Sequence, residues 1–95
     1  MPTIGVLMLE LRIDDAQSLK DKRQVVKSLK DRLRHRFNVS VAEIDYQDLW
    51  QRALIAAVTV SSGHTHAESV LQNVEQEAAT VAGRMLVSSN VEWIE

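Results

Sequence analysis

The chain has 95 residues, of which 45% are hydrophobic and 25% charged, with 13 acidic and 11 basic side chains and a formal net charge of −2. This length leaves room for one domain, residues 1–95, and the absence of cysteine excludes disulfides and thiolate zinc sites. The first apolar stretch is interrupted by Glu10 and Arg12, and no apolar run approaches the roughly twenty residues of a spanning helix. We therefore expect a cytoplasmic protein without a membrane partner.

The first half of the chain predicts a strand followed by a helix. Apolar and other residues alternate through residues 3–13, which is the period of a strand. Ser18 followed by Asp21 resembles a capping box, in which the two side chains satisfy amide hydrogens at a helix start. Asn38 breaks the helical period. The apolar face of the helix comprises Leu19, Val26, Leu29, Leu33 and Phe37.

The second half predicts two strands, a helix and a last strand. Residues 39–45 and 53–61 have the composition of strands and are joined by a polar connection. Thr65 with Glu68 forms a second candidate capping box, and Gly83 is placed to end the helix. Residues 85–94 predict the last strand. The apolar face of the second helix comprises Ala67, Val70, Leu71, Val74, Ala78 and Val81.

The order βαββαβ predicts an α+β, ferredoxin-like sandwich, in which two helices cover one face of a four-stranded antiparallel sheet. The other face is then uncovered, and on the first strand it carries Val6 and Met8. Because small soluble domains rarely expose a contiguous apolar face, we expect a homodimer or another partner there. Two alternatives stay open for the third strand, namely Ile55 and Ala57, or Leu54, Ala56 and Val58.

The first predicted helix concentrates the positive charge of the chain. Eight of the 11 basic residues lie within residues 19–36, against two aspartates, which gives this segment a formal charge of +6. At about 100° per residue, five of the cations form one stripe beside the apolar face. The stripe comprises Lys20, Arg23, Lys27, Lys30 and Arg34.

Two interpretations of this stripe remain open. In the first, it contacts the phosphates of structured or ribosomal RNA; in the second, it has no such role and either is a solvated face or pairs with Glu68 and Glu75 of the other helix. Base stacking on the sheet is disfavoured, because the first strand and residues 53–61 carry no aromatic side chain. The sequence therefore predicts a reader of RNA backbone or shape rather than of base sequence.

The connection between the second and third strands is a second candidate site. Its composition is typical of binding hot spots, although Leu49 and Trp50 would also suit closure of the open end of the core. A protein-interaction module without a nucleic-acid role is thus the alternative function. Its predicted partner-binding residues are Met8, Tyr46, Gln47, Asp48, Trp50 and Arg52.

Neither catalysis nor metal binding is expected. His64 and His66 have no third ligand nearby in sequence, so no metal or other cofactor is predicted. Paired carboxylates can perform acid-base chemistry, but nothing places a nucleophile beside a base, and we expect no enzyme. The carboxylates considered are Glu10, Glu43, Asp45 and Asp48.

Three segments resemble the YlxP-like family of small bacterial proteins of unknown function. They are residues 16–23 (AQSLKDKR), 38–43 (NVSVAE) and 48–53 (DLWQRA). The resemblance implies a ferredoxin-like α/β fold and assigns no catalytic residues. It also implies a connection with RNA or the ribosome, since genes of this family often lie near those for ribosome maturation and translation initiation factors.

Overall fold

The computed structural model of the protein describes residues 1–94, which form one sheet and two long helices. The predicted order of elements is confirmed. The observed ends of the four strands differ from the predicted ones by at most one residue. The elements are β1 (Thr3–Arg12), α1 (Leu19–Arg36), β2 (Ser40–Asp45), β3 (Arg52–Ser61), α2 (His64–Ala82), a single 3-10 turn (Gly83–Met85) and β4 (Leu86–Ile94).

The four strands form an antiparallel sheet in the order β2-β3-β1-β4. The central pair is β1 and β3, which face each other from Thr3↔Ser61 to Arg12↔Arg52 without a register shift. Both edge strands contain one irregularity, in β4 opposite Glu10 and in β2 after Glu43. This topology confirms the predicted ferredoxin-like sandwich.

The core lies between the sheet and the two helices. Alternate residues of β1 are buried because their side chains face the helices, as the period of a strand requires. The residues of the core that are fully enclosed include Leu7, Leu9, Leu11, Leu33, Ile55, Ala57, Val74 and Ala78. Gly5 belongs to the same face, where α2 and β4 come so close that a Cβ atom would lie 2.7 Å from both Leu71 Cδ1 and Trp93 Cζ3.

The buried face of α1 differs from the prediction. Val26, Leu29 and Leu33 are buried as expected, whereas Leu19 and Phe37 are half-buried at the two ends of the helix. Lys22 takes a central place on the buried face and is 1% exposed. Position 22 has the helical spacing of the buried face. A lysine can be buried there because the fold supplies partners for its ammonium group.

The prediction for α2 was wrong in its N-cap and in one residue of its apolar face. The helix begins at His64 with Gly63 as its N-cap and no side-chain cap, so Thr65 does not start it. In the last turn Ala82 is buried, whereas Val81, which was predicted on the apolar face, is 38% exposed. Gly83 ends the helix as predicted, with a φ of 56° that favours glycine.

The register decides which face of β3 is uncovered. Residues directly opposite each other in a sheet share a face, and Met8 lies opposite Ala56 while Val6 lies opposite Val58. Leu54, Ala56 and Val58 are therefore on the helix-free face together with Val6 and Met8. Ile55 and Ala57, the other alternative, are fully buried beneath the helices.

Candidate functional site

The N-terminus of α1 is held by the predicted capping interaction. Asp21 N donates a hydrogen bond to Ser18 Oγ (3.0 Å), and Gln17 N donates to Asp21 Oδ2 (3.0 Å). These bonds satisfy amide groups that a helix start leaves without partners inside the helix. The cap therefore fixes the residue at which the basic face begins.

The five predicted cations lie along α1, with Lys30 half-buried and the others exposed. Two of them share Asp31, whose Oδ2 is 2.8 Å from Lys27 Nζ and whose Oδ1 is 2.5 Å from Arg34 Nη2. The hydrogen bond from Lys27, and after it the one from Arg34, lowers the pKa of Asp31 from 3.8 to about 2. Asp31 thus remains charged and cancels one positive charge of the stripe.

Lys20, Arg23 and Lys30 form no ion pair with any residue in the range 1–94. Five cations and Asp31 leave the stripe with a formal charge of +4. The predicted alternative, pairing with Glu68 and Glu75, is not observed in this part of the chain.

The carboxylates of α2 have other partners. Glu68 lies 3.8 Å from His64 Nε2, and Glu75 accepts a hydrogen bond from Ser89 Oγ. Glu77 Oε2 accepts hydrogen bonds from Arg32 Nε (2.7 Å) and Arg36 Nη1 (3.1 Å). Both arginines lie on the flank of α1 that faces α2. The neighbouring helix therefore offsets one of the two positive charges on that flank and leaves the predicted stripe open.

Lys22 holds the second candidate site in place, which the sequence analysis did not predict. Its Nζ donates to three backbone carbonyls, those of Tyr46 (2.7 Å), Gln47 (3.2 Å) and Arg52 (3.3 Å). These acceptors use all three protons of an ammonium group. Glu43 Oε2 lies 2.9 Å from Nζ and balances its positive charge.

The spacing of α1 contained a signal for this role. Residues 22, 26, 29 and 33 follow the i, i+4, i+7, i+11 pattern of one helix face, and three of the four are aliphatic. Lys22 thus anchors the connection between β2 and β3 to the start of α1.

Further contacts hold this connection, residues 46–51, which we call the pinned loop. The backbone of Tyr46 has a φ of 63°, which residues other than glycine rarely adopt. Leu49 N closes a turn by donating a hydrogen bond to Tyr46 O (3.0 Å). Gln51 Nε2 donates to the carbonyls of Asp14 and Ala16, each at 3.1 Å. The loop is therefore tied to two other parts of the chain, the start of α1 and the connection that precedes it.

Arg52 closes the base of the pinned loop. Its guanidinium stacks over the Tyr46 ring, 4.0 Å from the centroid, and its Nη2 lies 2.7 Å from Glu10 Oε2. The hydrogen bond to Glu10 raises the pKa of Arg52 above its ordinary value. Arg52 is thus a fixed cation whose own partners are already in place.

The pinned loop exposes its two largest apolar side chains. Trp50 is 52% and Leu49 45% exposed, so the expectation that they close the core is wrong. They lie in an open cleft of about 700 Å³, which is lined by Arg12, Asp14, Asp48, Leu49, Trp50, Gln51 and Arg52. A rigid loop that presents an indole to solvent is suited to binding a partner.

The structure divides the predicted partner-binding residues between two places. Tyr46, Gln47, Asp48, Trp50 and Arg52 all belong to the pinned loop or its base. Met8 lies on the helix-free face near the middle of β1, opposite Ala56 and Asn90. These two surfaces can therefore be tested separately.

The candidate carboxylates have separate local partners. Glu10 pairs with Arg52 and Glu43 with Lys22, while Asp45 Oδ1 accepts a hydrogen bond from Tyr46 N (2.7 Å). Asp48 lines the cleft.

His64 stacks on Trp93 with ring centroids 4.1 Å apart, and His66 is exposed. Within residues 1–94, no three His, Asp or Glu side chains are grouped to hold a metal ion. Neither described helix is long and apolar enough to cross a membrane.

Known structures with this arrangement have very different sequences. The de novo designed protein Foldit4 has a TM-score of 0.61 at 8% identity, covering 100% of this chain and 98% of its own. A putative antibiotic biosynthesis monooxygenase from Bordetella bronchiseptica has a TM-score of 0.56 at 13% identity, covering 97% and 95%. A dimeric ferredoxin-like protein of unknown function from Thermobifida fusca has a TM-score of 0.50 at 13% identity, covering 96% and 90%. At such identities the likeness shows the fold alone.

Sequence comparison is more specific. Uncharacterized protein YlxP of Bacillus subtilis (strain 168) is 46% identical over 71 residues, which are 75% of this chain and 77% of that protein. The model of the family described as "Protein of unknown function (DUF503)" matches residues 4–91. The resemblance to YlxP-like proteins is thereby confirmed, and the chain belongs to the DUF503 family, for which no enzymatic activity is established.

Proposed function

We propose that this protein is an accessory factor that binds structured RNA, free or within a ribosomal assembly, through the phosphates of the RNA backbone. The observation that carries the proposal is the charge of α1, where Lys20, Arg23 and Lys30 have no carboxylate partner among residues 1–94. Lys27 and Arg34 share one carboxylate and still add to the positive field. In a chain with a net charge of −2, this stripe directs a polyanion to one surface.

The dimensions of the stripe suit a backbone contact. Lys20 and Arg34 are 14 positions apart, a separation of about 21 Å along a helix that rises 1.5 Å per residue. Cations distributed over such a length contact successive phosphates, which position a protein on a nucleic acid without reading its bases. The helix-free face of β1 and β3 carries no aromatic side chain for base stacking, which supports recognition of shape over sequence.

The salt dependence of binding tests this proposal. Fluorescence anisotropy with a ribosomal RNA fragment at about 50 and 200 mM salt measures the slope of log K against log salt, to which each phosphate contact adds about 0.7–0.9. The double variant Arg23→Glu/Lys30→Glu should weaken binding and reduce the magnitude of the slope by the contribution of about two phosphate contacts. Both residues lie outside the core and have no ion pair among residues 1–94, so the fold should be retained.

A matched control separates the stripe from net charge. Arg12→Glu/Arg84→Glu makes the same change in charge at two exposed positions outside α1 and breaks only the exposed ion pair of Arg12 with Asp14 (3.6 Å). We expect this control to retain most of the affinity and slope of the unaltered protein. Equal loss in both double variants, or no loss in the first, would reject the stripe as the RNA-binding surface.

The exposed indole of Trp50 favours a second candidate function, a protein-interaction module that uses the pinned loop. The loop is held by Lys22 and Gln51, so a partner would bind it at little cost in conformational entropy. Under this alternative, Trp50→Ala abolishes association with a co-purified protein, whereas Arg23→Glu/Lys30→Glu leaves it intact. The opposite pattern favours RNA binding through α1.

A further inference from the structure

The helix-free face of the sheet is apolar along its two central strands. This face is composed of Ile4, Val6 and Met8 from β1 and Leu54, Ala56, Val58 and Val60 from β3. All of them are half-buried except Ala56, which is 7% exposed, and Val60, which is 57% exposed. No element of residues 1–94 packs over them, because both helices lie on the opposite side.

The edge strands give this apolar centre a mostly polar border. Their register places Ser40 and Ala42 on one side and Ser88, Asn90 and Glu92 on the other, while Ile94, opposite Ile4, extends the apolar surface. The charged side chains of the central strands are confined to one end, at Glu10, Arg12 and Arg52. An apolar centre with a polar rim is the organisation of a protein-protein interface.

The size of the face suits association of two copies. The four strands contain 10, 6, 10 and 9 residues, which at about 3.3 Å per residue and about 4.8 Å between strands give a footprint of roughly 550 Å². Two such faces in contact remove about 1,100 Å² of surface from water, which exceeds the roughly 1,000 Å² that a biological interface needs.

We propose that a second copy of this chain covers the helix-free face, forming a dimer in which the two sheets pack face to face. A two-fold axis that runs across the strands near the Val6↔Val58 pair places apolar side chains of both copies in the centre. The charged ends of the two sheets, each with Glu10 and Arg12, then lie at opposite ends of the interface. Like charges are therefore kept apart and remain accessible to water.

The proposal goes beyond RNA binding and does not depend on it. In the dimer α1 lies on the outer side of each sheet, so the two basic stripes point away from each other and stay accessible. One dimer then presents two separate cationic surfaces. Failure of RNA binding would leave the dimer untouched, and a monomeric protein could still bind RNA.

Molecular mass in solution tests the dimer directly. Sedimentation equilibrium of the unaltered protein over a concentration series should give twice the 10.7 kDa of one chain. Val58→Asp places a carboxylate in the centre of the interface from both copies, and we expect the dissociation constant to rise at least about 100-fold. Val81→Asp, the same substitution at a 38% exposed position of α2 on the opposite side of the sheet, should leave the mass unchanged.

A second measurement does not require a disruptive substitution. The chain has no cysteine, so Val58→Cys introduces a single thiol near the proposed axis, and Val81→Cys places one far from it. A short bismaleimide should link two Val58→Cys chains and should not link Val81→Cys chains. A monomeric mass for the unaltered protein, or cross-linking through position 81 but not 58, would overturn the proposal.

Discussion

Replacing Lys22 with methionine should cost far more stability than replacing any cation of the stripe. Methionine retains most of the aliphatic volume but removes the ammonium group that serves three loop carbonyls and Glu43. Glu43, whose side chain is 16% exposed, then keeps its charge without a counterion. The expected results are destabilisation of the whole fold and release of the pinned loop.

The magnitude follows from the burial of the pair. Removing one partner of a buried ion pair costs about 3–5 kcal/mol, since it leaves an uncompensated charge. The lost hydrogen bonds are not added to this figure, because the carbonyls of Tyr46 and Gln47 can bind water once the loop opens. A loss near 3 kcal/mol is a large part of the roughly 5–15 kcal/mol that stabilises a typical domain.

Urea denaturation monitored by tryptophan fluorescence measures this loss. With a slope of about 1–2 kcal/mol per molar urea, the midpoint should fall by about 1.5–3 M. Hydrogen exchange at Leu49 N, which donates to Tyr46 O, should also become faster.

Two variants control for the charge change. Lys20→Met removes an exposed lysine from the same helix and should change stability by no more than about 0.5 kcal/mol. Lys22→Met/Glu43→Gln removes the stranded carboxylate and should recover at least about 1 kcal/mol relative to Lys22→Met. A loss below about 1 kcal/mol in Lys22→Met would refute the reasoning.

Two further predictions concern Gly5 and Asp31. Gly5→Ala should lower the unfolding free energy by about 1–3 kcal/mol in urea denaturation, because its Cβ would lie 2.7 Å from Leu71 and Trp93. An unchanged midpoint would contradict this, since it would mean that α2 and Trp93 move aside without cost. The depressed pKa of Asp31 means that its contribution to stability is complete above its ordinary pKa of 3.8 and is lost as the pH falls through about 2. Asp31→Asn should therefore remove this part of the acid dependence of Tm, and it should tighten RNA binding by adding one net positive charge to the stripe; weaker binding would contradict the assigned surface.

The order and type of the secondary-structure elements could be predicted from the sequence because their causes are local. Ser18 and Asp21 cap α1 within one turn, and Gly83 ends α2 through its own backbone conformation. The alternation in β1 predicts which of its residues share a face. The start of α2 was mispredicted because a plausible pair, Thr65 and Glu68, lies inside the helix and does not cap it.

The sequence by itself determined the βαββαβ order, the apolar periodicity and the row of cations on α1, since each depends on neighbours along the chain. Only the tertiary structure decided which face of β3 is covered, which carboxylates pair with the cations of α1, and that the ammonium group of Lys22 is buried. These depend on strand register and on Glu43, Tyr46 and Glu77, residues brought to α1 from at least 20 positions away. The pattern of one helix predicts its faces, but the partners of each face exist only after the chain has folded.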